Sequence, residues 1–294
     1  MTVQIYDAAT TAVVAAGSRG DRLLRQVEQE ERARHRTDQI TITLGRVAFG
    51  LLFLLAWELA SGRVLDQLFF SKPSHILAAL WTMLTREGLL YHLRFTITEA
   101  LAGYLLGASA GLVLGFALAR LEFMYRIIEP FVIAFYGIPR IALAPLFILW
   151  FGLGIASKIA VATVMVFFIV FINTVAGIRA VPSQLIQVAR VMGASAWELQ
   201  RKVVFPAATP FIIAALQITV PQAMIGAIVG EFISSNRGVG HLISREAGLL
   251  DTAGLFAGIF SLLVVVLLMN YGITSLGNYL MRWNPKRSLA QDVS

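Results

Sequence analysis

Six long apolar segments constrain the fold of this chain more than any other feature. They lie near residues 44–61, 96–119, 128–153, 157–178, 209–233 and 255–280. A helix needs about 20 mostly apolar residues to cross the hydrocarbon core of a bilayer, and most of these segments reach that length. They do not alternate polar and apolar residues as the strands of a membrane barrel do. The sequence therefore predicts an all-α integral membrane protein with six transmembrane helices.

The composition agrees with a membrane protein and narrows the chemistry. Hydrophobic residues make up 57% of the chain and charged residues 14%, whereas soluble domains carry about 25% charged residues. There is no cysteine, which excludes disulfides, thiol catalysis and cysteine-based metal sites. The net charge of +7 does not indicate a nucleic-acid partner, because the basic residues lie between the apolar segments rather than on a polar domain.

Three regions follow from this pattern. Residues 1–42 form a polar extension, which we expect to be a solvated or interfacial helix in part, and which lacks the features of a removable signal peptide. Residues 43–284 form the transmembrane domain, and residues 285–294 a short tail. The segments at 1–46, 120–127, 179–208 and 281–294 carry 16 Lys and Arg residues, against 7 in the opposite set of loops. This bias predicts that both termini lie in the cytoplasm.

Prolines interrupt the third apolar segment at Pro130, Pro139 and Pro145. Proline removes a backbone hydrogen bond and bends or ends a helix. We therefore expect the membrane-crossing part to begin near Pro139, with residues 128–138 at the inner face.

Four glycines recur at every fourth position of the second apolar segment: Gly103, Gly107, Gly111 and Gly115. This spacing places them on one helix face, where small residues allow two helix backbones to approach closely in lipid. The predicted role is helix packing, either within one subunit or between two subunits.

Ionisable residues at membrane depth are costly and often functional. The candidates are Glu58, Glu99, Arg140 and Glu231. All four lie near predicted helix ends, so their charged groups are expected to reach the interface. Arg140 is also a candidate for attracting an anionic solute, or for pairing with Glu129 or Glu231.

The sequence shows no catalytic site and no metal site. The segment at 152–159 lacks the residues of a phosphate-binding loop, and the four histidines are scattered without metal-ligand spacing. If ATP drives this protein, a separate subunit must bind it.

The segment between the fourth and fifth apolar segments, residues 179–210, is long for a helix connection. Pro182 and Ser183 start a first short helix, and Gly193 breaks the chain. Ser195 and Glu198 have the spacing of a capping box for a second helix. We call this segment the coupling loop, and its two helices predict a docking surface.

The coupling loop resembles the cytoplasmic signature of bacterial ABC-importer permeases, whose pattern is EAA, three residues, Gly, nine residues, Ile, one residue, Leu-Pro. The corresponding positions here are Gln187-Val188-Ala189, Gly193, Val203 and Phe205-Pro206, so the spacing is kept although the acid is replaced. Stretches at 138–159, 167–182 and 229–243 resemble permeases for nitrate, sulfonates and taurine.

This resemblance implies the type I (MetI-like) permease fold in a bacterial inner membrane. It implies a dimer of two copies, two ATPase subunits that bind ATP and Mg²⁺, and a binding protein that delivers solute. Trp197 and Leu199 are implied to supply apolar docking contacts to the ATPase. The full set of residues implied to contact or shape this interface is Gln187, Ala189, Gly193, Ala194, Ser195, Trp197, Glu198, Leu199 and Pro206. The candidates for the translocation path are Pro139, Arg140, Asn173 and Glu231.

The function implied is a permease subunit, with no catalytic activity of its own, for a small anion such as a sulfonate, nitrate or a carboxylate. Two alternatives stay open: a permease for a thiamine-precursor pyrimidine, and a stand-alone secondary transporter driven by an ion gradient. An intramembrane enzyme is disfavoured, because no polar catalytic groups cluster at mid-depth in the sequence.

Overall fold

A computed structural model describes residues 38–282, and every regular element in that range is a helix. Most of the polar extension and the C-terminal tail lie outside the described residues. The helices are α1 (Asp38–Ala60), α2 (Pro73–Thr85), α3 (Leu89–Arg120), α4 (Glu122–Gly137), α5 (Ala144–Phe151), α6 (Ile155–Arg179), α7 (Ser183–Val191), α8 (Ala196–Leu199), α9 (Phe205–Ser234), α10 (Val239–Gly248) and α11 (Thr252–Leu280). The chain divides into two compact units, one ending at Leu65 and one beginning at Asp66.

The first unit contains α1. This helix has 23 residues, which at about 1.5 Å per residue is long enough to cross a bilayer. It begins six residues before the predicted segment. Its large apolar side chains, such as Phe49 and Leu52, are exposed, which suits a helix surrounded by lipid or by another chain.

The second unit is built on α3 and α6, which run parallel along the glycine face. Gly103 faces Ala162, Gly107 faces Thr163 and Val166, Gly111 faces Val170, and Gly115 faces Thr174. A Cβ atom at Gly111 or Gly115 would lie 2.9 Å from an atom of α6. All four glycines therefore pack within one subunit, and the close approach of the two backbones depends on their having no side chain.

The helices α9 and α11 complete the bundle. Gly226 of α9 packs on Ala162 of α6, and Gly177 near the end of α6 packs on Phe211 near the start of α9, so these two helices are antiparallel. Gly277 near the end of α11 packs on Ile213 of α9. The ends of α3, α6 and α11 and the start of α9 thus lie together. We call this the loop end of the bundle, because it carries the coupling loop.

The third predicted membrane segment is not one straight helix. The helix α4 ends at Gly137, a short 3-10 turn covers Arg140–Leu143, and α5 follows at an angle of 87° to α4. Ile138 is extended (φ −67°, ψ 134°) because the ring of Pro139 disfavours a helical conformation in the preceding residue. The break lies where Pro139 predicts it, but α5 has only 8 residues and cannot cross a bilayer alone. Among residues 38–282, five helices are long and apolar enough to cross a bilayer, and the count is six if the bent pair forms one span.

Candidate functional site

The first helix of the coupling loop ends in a tight, well-satisfied turn. Gly193 has φ +81°, a left-handed conformation that glycine adopts without strain. Its N–H donates to Arg190 O (2.9 Å) and the N–H of Ala194 donates to Ala189 O (3.0 Å). This pair of bonds is the Schellman motif, which satisfies the last carbonyls of α7. A Cβ at Gly193 would meet no atom within 4 Å, so the backbone angle alone selects glycine here.

The second helix of the loop begins with the predicted capping box, and this prediction is confirmed. The N–H of Glu198 donates to Ser195 Oγ (3.3 Å), and the N–H of Ser195 donates to Glu198 Oε2 (3.1 Å). Lys202 Nζ donates to the other oxygen of Glu198 at 2.8 Å. Both helices of the loop are therefore closed by local hydrogen bonds, and their relative direction is set by Gly193.

A small apolar core holds the loop together. Val181, Leu199 and Val204 are buried side by side, and Ile186 and Ala189 of α7 pack against them. Leu199 is only 7% exposed, so it stabilises the loop and cannot contact a partner. The expectation that Leu199 supplies a docking contact is wrong, because its side chain points into the loop's own core.

The opposite side of the loop presents an apolar surface, of which the sequence predicted only Trp197 as a docking contact. Trp197 is 68% exposed, and the members of this surface, which we call the loop patch, are Leu185, Val188, Val191, Met192 and Trp197. Leu185, Val188 and Val191 recur at helical spacing along one face of α7, and Met192 follows at its C-terminal end. Exposed apolar clusters of this kind mark protein interfaces. The spacing was visible in the sequence, but only the burial of Ile186 and Ala189 shows which face is free.

Three further residues implied by the resemblance differ in their exposure. Gln187 is exposed and Ala194 is half-buried, while Pro206 is the second residue of α9, directly after the π-helical turn. Between α8 and α9 the chain passes through a π-helical turn, Gln200–Val204, so the helix continues without a break.

A groove lies between the loop and the end of α3. It has a volume of about 480 Å³, and its walls include Phe116 and Arg120 of α3 together with Trp197 and Phe205. The guanidinium of Arg120 stacks on the ring of Phe116 at 4.9 Å. The indole of Trp197 thus stands at the junction of the loop patch and the membrane helices.

The residues predicted for the translocation path are spread over several elements. Pro139 is exposed at the break between α4 and the 3-10 turn, and Arg140 follows it, half-buried. The guanidinium of Arg140 donates to Met165 O (3.3 Å) and stacks on Tyr136 at 4.8 Å. Asn173 donates to Ile169 O in its own helix (2.8 Å). In the described structure Arg140 thus has these partners in place of Glu129 or Glu231.

Three charged side chains are enclosed at the end of the bundle opposite the coupling loop. Glu99, Lys158 and Glu231 are 2%, 5% and 1% exposed. The expectation that Glu99 and Glu231 reach the membrane interface is therefore wrong, because helices α3, α6 and α9 surround both carboxyls. Lys158, which the topology prediction places in a loop, belongs to the same enclosed group of three residues, which we call the charge cluster. No sequence pattern links the three residues, which lie far apart along the chain.

Comparison with known proteins gives the family. Residues 110–283, which include the coupling loop, match the family described as the binding-protein-dependent transport system inner membrane component. The chain belongs to this family of ABC-importer permeases. The match includes the Gly193 turn and the α9–α10 segment, and the multi-pass membrane architecture agrees with it.

Several relatives of this permease cover most of its length. It is 34% identical to the formylaminopyrimidine transport permease protein of Halalkalibacterium halodurans, over 81% of this chain and 95% of the relative. It is 35% identical to the riboflavin transport system permease protein of Chloroflexus aurantiacus, over 79% and 87%. It is 32% identical to a putative aliphatic sulfonates transport permease protein of Bacillus subtilis, over 79% and 84%.

Solved structures show the same fold. An inward-facing MetNI methionine ABC transporter matches with a TM-score of 0.54 at 21% identity, over 69% of this permease and 98% of that chain. A bacterial ABC transporter for import of the acidic polysaccharide alginate matches with a TM-score of 0.56 at 16% identity, over 82% and 94%. The predicted MetI-like permease fold is thus confirmed.

Proposed function

We propose that this permease forms the translocation path of an importer driven by ATP hydrolysis, and that its coupling loop docks on a partner ATPase subunit. One observation carries the proposal: the loop patch is apolar and exposed. It lies on two short helices that are capped by local hydrogen bonds and packed against a small apolar core within the loop. A rigid helix pair with an apolar face is suited to a groove on a partner. In this proposal ATP and Mg²⁺ bind to the ATPase, and this chain carries out no covalent chemistry.

The assembly follows from the same proposal. Two copies of the permease enclose the path, with two ATPase subunits at the loop end and a solute-binding protein at the opposite end. The loop end carries Arg120, Arg179 and Arg282, and a positive excess is typical of cytoplasmic ends. We therefore place both termini in the cytoplasm and the permease in the bacterial inner membrane.

The proposed cargo is a small organic or inorganic anion, such as a sulfonate, nitrate or a carboxylate. The similarity to sulfonate and taurine permeases supports this, and the half-buried guanidinium of Arg140 at the bend supplies a positive charge. A pyrimidine cargo is the second candidate, since a formylaminopyrimidine permease is 34% identical. The bend at Ile138–Pro139 leaves backbone groups outside regular helix, which membrane proteins tolerate where a segment lines a cavity.

Co-purification tests the docking proposal. Tagged permease should retain its ATPase subunit, and Trp197→Ala should weaken that association and uncouple ATP hydrolysis from uptake, because it removes the largest side chain of the loop patch. Trp81→Ala is a matched control, since Trp81 is 67% exposed on α2. Transport by the permease alone, unaffected by Trp197→Ala, would support the secondary transporter instead.

Uptake by the reconstituted complex tests the cargo. Competition with an alkyl sulfonate, nitrate and a formylaminopyrimidine should show which class displaces the transported solute. For an anionic cargo we expect Arg140→Gln to reduce uptake more than Arg126→Gln, because Arg126 forms an exposed ion pair with Glu122. Equal uptake in the two variants would remove Arg140 from the path.

A further inference from the structure

The charge cluster contains two acids and one base in an enclosed space. Lys158 Nζ lies 3.4 Å from Glu99 Oε1, and the Glu99 carboxyl lies within hydrogen-bonding reach of the Glu231 carboxyl. All three side chains are at least nine-tenths buried between α3, α6 and α9. The residues come from three different helices, so the cluster ties together the end of the bundle opposite the coupling loop.

Glu231 uses both of its oxygens as acceptors. The hydroxyl of Thr96 donates to Oε1 (2.7 Å), and the N–H of Gly240 donates to Oε2 (2.6 Å). Thr96 Oγ1 in turn accepts from the N–H of Val239 (2.8 Å). A Cβ at Gly240 would lie 2.7 Å from Oε2, so the backbone of α10 approaches the carboxylate directly. Two donors facing Glu231 favour the ionised form of its carboxyl.

Lys158 joins the cluster to the α9–α10 turn. Its Nζ donates to Ser235 Oγ (2.8 Å), and the same hydroxyl donates to Arg237 O (2.5 Å) and accepts from the N–H of Arg237 (3.1 Å). The conformation of the turn is thus set by a side chain of α6. At the start of α10, the N–H of Gly240 donates to Glu231. The segment 235–240 is therefore held by a side-chain hydrogen bond at each of its ends.

Glu99 is left with an unsatisfied atom. Its Oε2 is buried and has no hydrogen-bond donor in the described structure. With two carboxylates and one ammonium, the cluster would carry an uncompensated negative charge, which is costly in a low-dielectric interior. Two carboxyls in contact resolve this conflict when one of them is protonated.

Among the residues that the structure describes, Lys158 is the base that pairs with Glu99, and the neighbouring charged groups have other partners. From α3, His92 Nδ1 lies 3.1 Å from Gly238 of the turn, and its ring stacks on His241 of α10. Arg245 of α10 pairs with Glu246 and with Glu87. Lys158 is the base that α6 contributes, and Glu231 is the acid that α9 contributes.

We propose that Glu99 and Glu231 share one proton, carried on Glu99 Oε2 and donated to Glu231, so that the charge cluster is neutral and latches the 235–240 segment onto α3 and α6. The proton replaces the missing donor of Oε2, and Glu99 Oε1 stays an acceptor for Lys158. This proposal concerns the permease alone and does not depend on its ATPase partner, so its failure would leave the docking proposal intact.

Infrared spectroscopy of the purified permease tests the proton directly. At neutral pH we expect a carbonyl band of a protonated carboxylic acid that shifts when the glutamates are labelled with ¹³C and disappears in Glu99→Gln. Glu122→Gln is the matched control, because Glu122 is exposed on α4 and should leave the band unchanged. A wild-type protein without a glutamic acid band, or a band that persists in Glu99→Gln, would overturn the proposal.

Thermal unfolding of two isosteric variants gives an independent test. Glutamine has the shape of a protonated glutamic acid and donates where the acid donates, so Glu99→Gln should keep a Tm near that of the wild type. Glu231→Gln should lower the Tm strongly, because its amide N–H₂ must face either the Thr96 hydroxyl or the N–H of Gly240. Equal losses in the two variants would mean that both acids are ionised; if Glu231→Gln does not fold, the infrared comparison still decides.

Discussion

The coupling loop and the charge cluster lie at opposite ends of the same helices and are stabilised in different ways. In the loop, each hydrogen bond joins residues at most five positions apart, and the Glu198–Lys202 ion pair is exposed. In the cluster, the bonds join α3, α6, α9 and α10, and Lys158 and Glu231 are enclosed. Because its hydrogen bonds are local, the loop is an independent structural unit to which a partner can bind. The charge cluster, in contrast, depends on the packing of helices from the whole bundle.

The largest expected effect distinguishes the enclosed charge cluster from the exposed Glu198–Lys202 ion pair of the loop. Lys158→Met should destabilise the permease by about 3–5 kcal/mol, because removal of the ammonium group leaves a buried carboxylate without its counter-charge. Lys202→Met is the matched control in the loop, where the side chain is 70% exposed. The difference in the free energy of unfolding between the two variants can be measured by denaturation in detergent. A small effect at Lys158 would show that water reaches the cluster.

The next effect tests the close helix approach that brings the cluster together. Gly107→Ala should cost about 1–3 kcal/mol, because a Cβ would lie 2.5 Å from Thr163 O and 2.9 Å from the Cβ of Val166. Gly272→Ala is the control: it lies within α11, and no atom lies within 4 Å of its added Cβ. Alanine there should stabilise by about 0.5–1 kcal/mol. The same Tm change in both variants would contradict tight packing of α3 on α6.

A smaller and local effect is expected in the loop. Gly193→Ala should cost about 1–2 kcal/mol, since the φ of +81° is unfavourable for an L-residue although space is available. Gly193→Asn should cost less, because asparagine tolerates this conformation. The measurement is hydrogen exchange of residues 183–199, with the α3–α6 core as the internal reference. Equal exchange changes in loop and core would contradict the independence of the loop.

The smallest effect is expected at the exposed Glu198–Lys202 ion pair of the coupling loop. Lys202→Ala should leave the Tm and the binding of an ATPase subunit within experimental error, since exposed ion pairs contribute little. Raising the salt concentration should likewise have little effect on the loop. A large loss of ATPase binding in Lys202→Ala would indicate that the charge, rather than the loop patch, contacts the partner.

Local features were predictable from the sequence because they depend on neighbouring residues. The long apolar segments, the break at Pro139, the Gly193 turn and the Ser195–Glu198 capping box each follow from conformational preferences within a few residues. The four-residue spacing of the glycines also indicated a packing face, although it did not identify α6 as the neighbour.

Tertiary structure alone decided the rest. The sequence does not show that Leu199 is buried while Trp197 is exposed, because both are apolar residues at the start of one helix. Nor does it show that Glu99, Lys158 and Glu231 meet, because their contact depends on the rotation and register of three helices packed around glycine. Composition and local preferences thus determined a helical membrane protein with a long loop that carries two short helices. The packing of α3, α6 and α9 determined where its charges are enclosed, since burial depends on neighbours distant in the chain.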